Sequence, residues 1–352
     1  MKLSLRTVRL ELSEPLRISR STMTARDAVR LSVEHQGLRG HGEVVASVYY
    51  GLDAGTIGRL SREAALDLAR FADPESALEA LRADGVPSAS CTPPAVRAAV
   101  ESALLDLAGK RAGVPVHQLL GTSEAPRAAT ARTIGITSPE RAGAQAARLA
   151  RDGFTVLKLK AGAPDPEDDV TRIPAVRAAA PHTRLLLDPN GAWTVATTER
   201  LLPRLAELGI EAVEQPIAPG DPEALAKLAE RSPLPVIADE DAVGHEDARR
   251  LAGRVQGINV KLAKCGGVTA ALRIAELIAG TGTELMLGCL TASTLGIAPA
   301  VHLADRARWT DLDGHLLLAH DPWTGIGGAD GTVRTSPRPG LGVHPRTEGD
   351  QG

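Results

Sequence analysis

Charged residues end a series of short apolar segments in the second half of the chain. Six of them occupy the ends of five such segments: Lys158, Lys160, Asp188, Glu214, Asp239 and Lys261. From Lys160 onward they are 28, 26, 25 and 22 residues apart, each about the length of one strand followed by one helix. If the segments are parallel strands of one sheet, the six side chains meet at its carboxyl edge, where such sheets carry their active sites.

The three acidic residues of this series predict a metal site. Asp188, Glu214 and Asp239 would repel one another at the ends of adjacent strands unless a cation lay among them. Carboxylate oxygens with room for water and substrate suit Mg²⁺ better than Zn²⁺, and the sequence has no histidine cluster for a softer metal. We therefore expect these three carboxylates to bind Mg²⁺.

The lysines of the series are unusual for this chain. Only seven of its 40 basic residues are lysines, and four of the seven lie in the segments VLKLK and INVKLAK. A buried lysine can lose its proton and act as a base, which a guanidinium cannot do. Lys160 and Lys261 would face each other across the metal, with Lys158 as a supporting cation. A substrate carboxylate on Mg²⁺ would then place its α-carbon between two amines that can move a proton.

Eight apolar, often β-branched segments alternate with Ala-, Leu- and Arg-rich segments of helical periodicity. The predicted strands are 131–136, 155–160, 184–188, 211–215, 235–239, 257–261, 284–288 and 309–313. Alternating strands and helices imply a parallel sheet, and eight such units imply a closed barrel. The predicted fold class is therefore α/β, a TIM-type (β/α)7β or (β/α)8 barrel over residues 125–325.

The chain on either side of this region shows other patterns. Within residues 1–124, MKLSLRTVRLELS, DAVRLSVEHQ and GHGEVV resemble antiparallel strands, and helical segments follow them, the longest at 93–113. We expect an N-terminal α+β capping domain here. Residues 326–352 are rich in Gly and Pro, and we expect them to return to the cap and to end in a disordered polar tail.

Composition limits the class of partner. The net charge of −3 over 352 residues offers no basic field for nucleic acid or anionic lipid. The sequence contains no run of 18 apolar residues and no leader pattern at its start. Its cysteines, Cys91, Cys265 and Cys289, are far apart, as in reduced cytoplasmic proteins. We expect a cytoplasmic protein with a small-molecule partner rather than nucleic acid or membrane, and a homo-oligomer is left open.

Each charged residue alone also has an ordinary structural explanation. Asp188 or Asp239 could cap the following helix, Glu214 could be a solvated strand end, and KLK could protect an exposed sheet edge. These explanations would have to hold at five consecutive strand ends together, and a closed barrel has no exposed edge. A functional cluster is the simpler interpretation.

The same motifs resemble those of a known family. The KxK pair, DPNGAW with Asp188, VEQP with Glu214, ADED with Asp239 and NVKLAKCGG with Lys261 are similar to the muconate-lactonizing subgroup of the enolase superfamily. ESALLDLAGKRAGVPVHQLLG and PGLGV at 339–343 extend the similarity over nearly the whole chain. The resemblance implies Lys160 and Lys261 as the acid/base pair, Lys158 as a supporting cation and the three carboxylates as ligands of Mg²⁺.

Further residues resemble the dipeptide epimerases of that family. Asp311 and Asp313 in TDLDGH are similar to the pair that holds the free α-ammonium group of a dipeptide. Thr133 resembles a substrate-contacting threonine, and Arg20 resembles an arginine of a cap loop that reads an acidic second side chain. DLDG could instead form a turn, Arg20 could be a solvated loop residue, and Arg17 could take its place. The resemblance implies an isomerase that epimerises dipeptides, with L-Ala-D/L-Glu as the leading substrate.

Two alternatives remain at this point. The same site could perform β-elimination or cycloisomerisation, as in o-succinylbenzoate synthase, N-succinylamino acid racemase or muconate cycloisomerase, whose substrates have no use for Asp311 and Asp313. The barrel could also be catalytically silent and only bind a metal or a protein partner. The presence of both Lys160 and Lys261 disfavours the silent barrel.

Overall fold

A computed structural model describes residues 1–83 and 92–347 of the protein. Cys91 and the last five residues of the predicted disordered tail lie outside these ranges. None of the helices within them combines the length and apolar character that crossing a membrane requires.

The N-terminal part is a three-stranded antiparallel sheet followed by helices. Its strands pair in the order β1 (Lys2–Ile18), β2 (Ser21–His35), β3 (Leu38–Val45). The helices are α1 (Ala54–Leu68), α2 (Pro74–Arg82), α3 (Pro94–Ala112) and α4 (Val116–Leu119). Strands β1 and β2 extend beyond the predicted segments to a two-residue turn, so Arg20 lies in a tight hairpin turn rather than in a long loop.

Helix α3 joins this sheet to the rest of the molecule. A Cβ at Gly42 of β3 would lie 2.1 Å from the carbonyl oxygen of Ala99, so only glycine lets the strand approach the helix this closely. Pro94 starts the helix, and Gly113, with φ of 72°, ends it in the left-handed conformation. Side chains on all faces of α3 are buried, because other elements surround it.

The rest of the chain forms the barrel. Its eight parallel strands are β5 (Arg132–Ile134), β6 (Val156–Lys160), β7 (Arg184–Asp188), β8 (Ile210–Glu214), β9 (Val236–Ala238), β10 (Gly257–Lys261), β11 (Glu284–Gly288) and β12 (Trp309–Asp311), neighbours in chain order. The amide of Ala131 donates a 2.7 Å hydrogen bond to the carbonyl oxygen of Thr310, which brings the first and last strands together. The predicted α/β barrel with an N-terminal α+β domain is confirmed.

Helices surround the barrel, and short strands complete the chain. The helices are α5 (Pro139–Arg151), α6 (Pro166–Ala179), α7 (Val195–Glu207), α8 (Pro222–Arg231), α9 (His245–Leu251), α10 (Leu262–Cys265), α11 (Val268–Ile278) and α12 (Thr294–Val301). Short 3₁₀ helices span Ala304–Arg306 and Gly314–Leu317. The remaining strands are β4 (Arg127–Ala129), which pairs with β14 (Thr332–Arg334), and β13 (Trp323–Thr324), which pairs with β15 (His344–Pro345).

Strand register determines which charged side chains are neighbours. An apolar cluster contains one residue from each of seven segments of the barrel: Ala131, Val156, Leu186, Ala212, Ile237, Met286 and Trp309. Lys160 is in register with Asp188, and Gly288 of β11 is in register with both Lys261 and Asp311. In-register residues of parallel strands point to the same side of the sheet, so these charged groups share one face.

Candidate active site

The ammonium group of Lys158 lies among three carboxylates. Its Nζ is 2.6 Å from Oε2 of Glu214, 2.7 Å from Oδ2 of Asp311 and 3.1 Å from Oδ2 of Asp188. Burial alone would lower the pKa of this lysine, but the three negative charges raise it well above its ordinary value. Lys158 is therefore held as a cation in contact with three carboxylates, as expected for a supporting residue.

Lys160 and Lys261 lie on opposite sides of the barrel mouth. Strands β6 and β10, which carry them, are four positions apart in a ring of eight. The Nζ of Lys160 is 2.5 Å from Oδ2 of Asp188, and the Nζ of Lys261 is 2.6 Å from Oδ2 of Asp239. Burial opposes the charge of Lys261, but Asp239 and Glu214 raise its pKa above the ordinary value. Both lysines line the same cavity.

The three carboxylates differ in how well their charges are compensated. Burial opposes ionisation of Asp188, yet Lys158 and Lys160 hold its pKa below the ordinary value. The pKa of Asp239 is likewise low despite burial, because two lysine ammonium groups contact it. Burial and the nearby charge of Asp188 raise the pKa of Glu214 to about 7. The charge of Glu214 is therefore the least compensated of the three.

This donor set fits Mg²⁺. Among the described residues, no three acidic, histidine or cysteine side chains converge on a metal-binding point as they stand, because lysine ammonium groups lie between the carboxylates. The donors are nevertheless all oxygens, and a further cation would oppose the burial and the nearby charge of Asp188 that raise the pKa of Glu214. Asp188, Glu214 and Asp239 would hold the ion.

A cavity of about 670 Å³ separates the barrel mouth from the cap. Its floor includes Lys158, Lys160 and Lys261, and its roof includes Tyr49 and Tyr50 of the segment that follows β3. This volume lies within the range of typical small-molecule sites. The proton-transfer residues thus open onto a space of suitable size for a small substrate.

Asp311 and Asp313 are not equivalent. Both line the cavity, but β12 ends at Asp311, and Asp313 precedes a 3₁₀ helix, so the prediction that both lie on one strand is wrong. The carboxylate of Asp313 accepts hydrogen bonds from the Thr133 amide at 2.7 Å and from Nη1 of Arg132 at 3.1 Å. Thr133 therefore contacts Asp313 through its main chain while lining the same cavity.

Arg20 lies over the cavity but is already ion-paired. Its Nη2 is 2.9 Å from Oε1 of Glu240, its Nη1 donates to the carbonyl oxygen of Asn190 at 3.2 Å, and its guanidinium lies 4.5 Å from the ring centroid of Tyr49. Arg20 is therefore ion-paired, although it is still exposed to solvent. Arg17 is also exposed and lines a different cavity.

Comparison with family models covers nearly the whole chain. Residues 1–121 match the mandelate racemase / muconate lactonizing enzyme N-terminal domain, and residues 141–349 match the enolase C-terminal domain-like family. The chain belongs to the enolase superfamily. The resemblance stated from the motifs is confirmed.

Relatives within the enolase superfamily include dipeptide epimerases. The hydrophobic dipeptide epimerase of Roseobacter litoralis is 32% identical over 97% of this chain and 98% of its own length. The L-Ala-D/L-Glu epimerase of Bacteroides thetaiotaomicron is 30% identical over 97% of this chain and 88% of its own length. The solved dipeptide epimerase of Enterococcus faecalis V583, complexed with Mg and L-Leu-L-Tyr, is 30% identical, has a TM-score of 0.90 and matches over 97% of this chain and 98% of that one.

Sequence reasoning missed two residues of this enolase-superfamily site. Lys264 contacts Oδ1 and the carbonyl oxygen of Asp239, both at 2.5 Å, and its side chain is fully buried. Asn259 donates to Oε1 of Glu214 at 2.8 Å. The sequence contains a pattern that could have identified each of them. Lys264 is one of four lysines in apolar segments, and Asn259 precedes Lys261 by two residues on the same strand face.

Proposed function

We propose that the protein is a Mg²⁺-dependent dipeptide epimerase that inverts the α-carbon of the C-terminal residue of a dipeptide. The observation that carries this proposal is the placement of Lys160 and Lys261 on opposite strands of the ring, facing one cavity beside three carboxylates. An inversion needs one group to remove a proton from one face and another to supply a proton to the opposite face. Two lysines across a cavity provide this arrangement.

The reaction assigns a separate role to each lysine. One of Lys160 and Lys261, as the neutral amine, takes the α-proton when the C–H bond breaks, and the other, as the ammonium, gives a proton to the opposite face. The ammonium of Lys158 stabilises the negative charge that develops on the substrate carboxylate. Bound Mg²⁺, held by Asp188, Glu214 and Asp239, would supply further positive charge there. The products are the two epimers, with no net gain or loss of protons.

The eighth-strand end supports a substrate with a free amino group. Asp311 is a buried carboxylate at the cavity wall, and one of its oxygens, Oδ1, has no hydrogen-bond partner in the described structure. An α-ammonium group would satisfy this acceptor. The relatives' names support dipeptides as the substrate class, but they include both hydrophobic dipeptides and L-Ala-D/L-Glu, so they leave the second side chain open.

A second candidate is racemisation of N-acylated amino acids by the same two lysines. It is favoured by the ion pairs of Asp311 with Lys158 and of Asp313 with Arg132, which leave less negative charge for a substrate ammonium group. A solved N-succinyl Arg/Lys racemase from Bacillus cereus has a TM-score of 0.90 at 26% identity. Activity that survives Asp311→Asn combined with Asp313→Asn would favour this candidate.

The decisive test is a mass-spectrometric screen in D₂O with Mg²⁺. A library of L,L-dipeptides is incubated with the protein beside matched N-succinyl amino acids, and deuterium uptake at the α-carbon is measured. We expect uptake and formation of the second epimer with dipeptides. Uptake restricted to the N-succinyl compounds would replace the proposal by the second candidate. Uptake by neither class would leave a catalytically silent barrel.

A further inference from the structure

We infer that this protein selects dipeptides whose second side chain is uncharged, because Glu240 neutralises the arginine that would otherwise read an acidic one. The inference rests on the proposed function and names its substrate class. It revises the expectation of L-Ala-D/L-Glu, which depended on a free Arg20 in the cap.

Arg20 is engaged on three sides. One guanidinium nitrogen contacts Oε1 of Glu240 at 2.9 Å, another donates to the carbonyl oxygen of Asn190 at 3.2 Å, and the ring of Tyr49 covers the group at 4.5 Å. The side chain of Glu240 is only 2% exposed, whereas that of Arg20 is 38% exposed. Glu240 is therefore buried within the barrel, and Arg20 reaches it from the turn of the cap hairpin.

An acidic substrate side chain would have to share this guanidinium with Glu240. The substrate carboxylate would come close to a carboxylate that cannot move into solvent, and the repulsion would offset the gain from the arginine. The preference of about 10–100-fold that a free arginine gives to an acidic group is therefore absent.

The adjoining wall suits an apolar side chain. Leu16 and Ile18 line the cavity from alternate positions at the end of β1, and Tyr49, which is about half exposed, lines the same cavity. Removing such surface from water stabilises an apolar group by roughly 25 cal/mol per Å². The surroundings of Arg20 thus favour a neutral, apolar second side chain.

A second arginine in the same cavity provides a control. Arg26 of β2 donates to the carbonyl oxygen of Ala46 at 3.0 Å and lies 3.3 Å from the sulfur of Met23. In the part of the chain that the structure describes, its side-chain contacts include no carboxylate. Arg26 therefore carries an uncompensated charge, but its contacts are with the cap rather than with Glu240.

The experiment compares L-Ala-L-Gln with L-Ala-L-Glu, which have the same shape and differ in charge. The kcat/KM for α-proton exchange is measured for wild type, Glu240→Gln, Glu240→Gln with Arg20→Gln, and Glu240→Gln with Arg26→Gln. We expect wild type to prefer L-Ala-L-Gln, and Glu240→Gln to shift the ratio towards L-Ala-L-Glu by about tenfold or more. Adding Arg20→Gln should abolish the shift, and adding Arg26→Gln should preserve it. The ratio of the two kcat/KM values is taken within each variant, so a loss of activity that affects both substrates equally does not change it.

The outcomes separate this inference from the proposed function. A wild-type preference for L-Ala-L-Glu overturns the inference even if Glu240→Gln does not fold. An unchanged ratio in a folded Glu240→Gln variant also overturns it. Exchange with no dipeptide at all removes the proposed function and this inference with it.

Discussion

Lys264 is the buried cation beside the catalytic lysines, and replacing it by methionine has a calculable effect. Its Nζ contacts four oxygens, two of Asp239 at 2.5 Å, that of Asn259 at 3.0 Å and that of Ala242 at 3.1 Å. Lys264→Met keeps an apolar chain of similar length but removes every one of these contacts. Loss of one partner of a buried ion pair costs about 3–5 kcal/mol. Because Lys261 still contacts the other oxygen of Asp239, we expect the lower limit, about 3 kcal/mol.

The assay is thermal unfolding followed by circular dichroism. A loss of about 3 kcal/mol lowers Tm by roughly 4 °C in a chain of 352 residues, because the entropy of unfolding is about 2.1 cal/mol/K per residue. Lys227→Met, at an exposed position of α8, is the matched control and should leave Tm unchanged. If Lys264→Met unfolds within about 1 °C of that control, the buried contacts do not stabilise the barrel mouth.

Three further changes test other parts of the structure. Burial lowers the pKa of His302 from 6.5 to about 4. As the pH falls below 6.5, the unfolded chain therefore takes up this proton before the folded chain does, and the free energy of unfolding decreases. The decrease reaches about 3 kcal/mol at pH 4. Urea titrations at pH 7 and pH 4.5 should show a smaller loss for His302→Gln than for wild type, and equal losses would contradict this. Glu214→Gln should weaken Mg²⁺ binding by about tenfold or more in titration calorimetry, because it removes one of three charged donors, and an unchanged affinity would exclude Glu214 as a ligand. Asp311→Asn should lower kcat/KM by about 10–100-fold for a free dipeptide relative to its N-acetyl form, and an equal effect on both would exclude a contact with the α-ammonium group.

The barrel was predictable because its strands follow the simplest pattern. Segments 184–188, 257–261 and 284–288 are apolar runs bounded by polar residues, and the structure has the same bounds. The eighth strand is shorter than predicted. The amide of Leu312 donates to Oγ1 of Thr130 rather than to the backbone of a neighbouring strand, so regular pairing ends at Asp311. The alternation of polar and apolar residues in TDLD does not distinguish a strand that ends at Asp311 from one that continues to Asp313. The domain limits at 124 and 325 stay predictions.

The partners of the charged groups were not predictable from the chain. Spacing at strand ends placed Lys160 beside Asp188, because register follows from the barrel itself. Arg20 and Glu240 are 220 residues apart, and their pairing depends on how the cap hairpin lies over the barrel. A sequence pattern carries no information on that orientation. The expectation of an acidic second side chain was based on Arg20 alone and did not take Glu240 into account.

The central claim is that Lys160 and Lys261 act on opposite faces of one α-carbon. The most direct measurement is α-proton exchange in D₂O with each epimer of one dipeptide substrate, in Lys160→Ala and Lys261→Ala. Both variants should lose epimerisation, and each should exchange the α-proton of one epimer only, with opposite epimers for the two variants. Full epimerisation in either variant, or exchange of the same epimer in both, would contradict the claim.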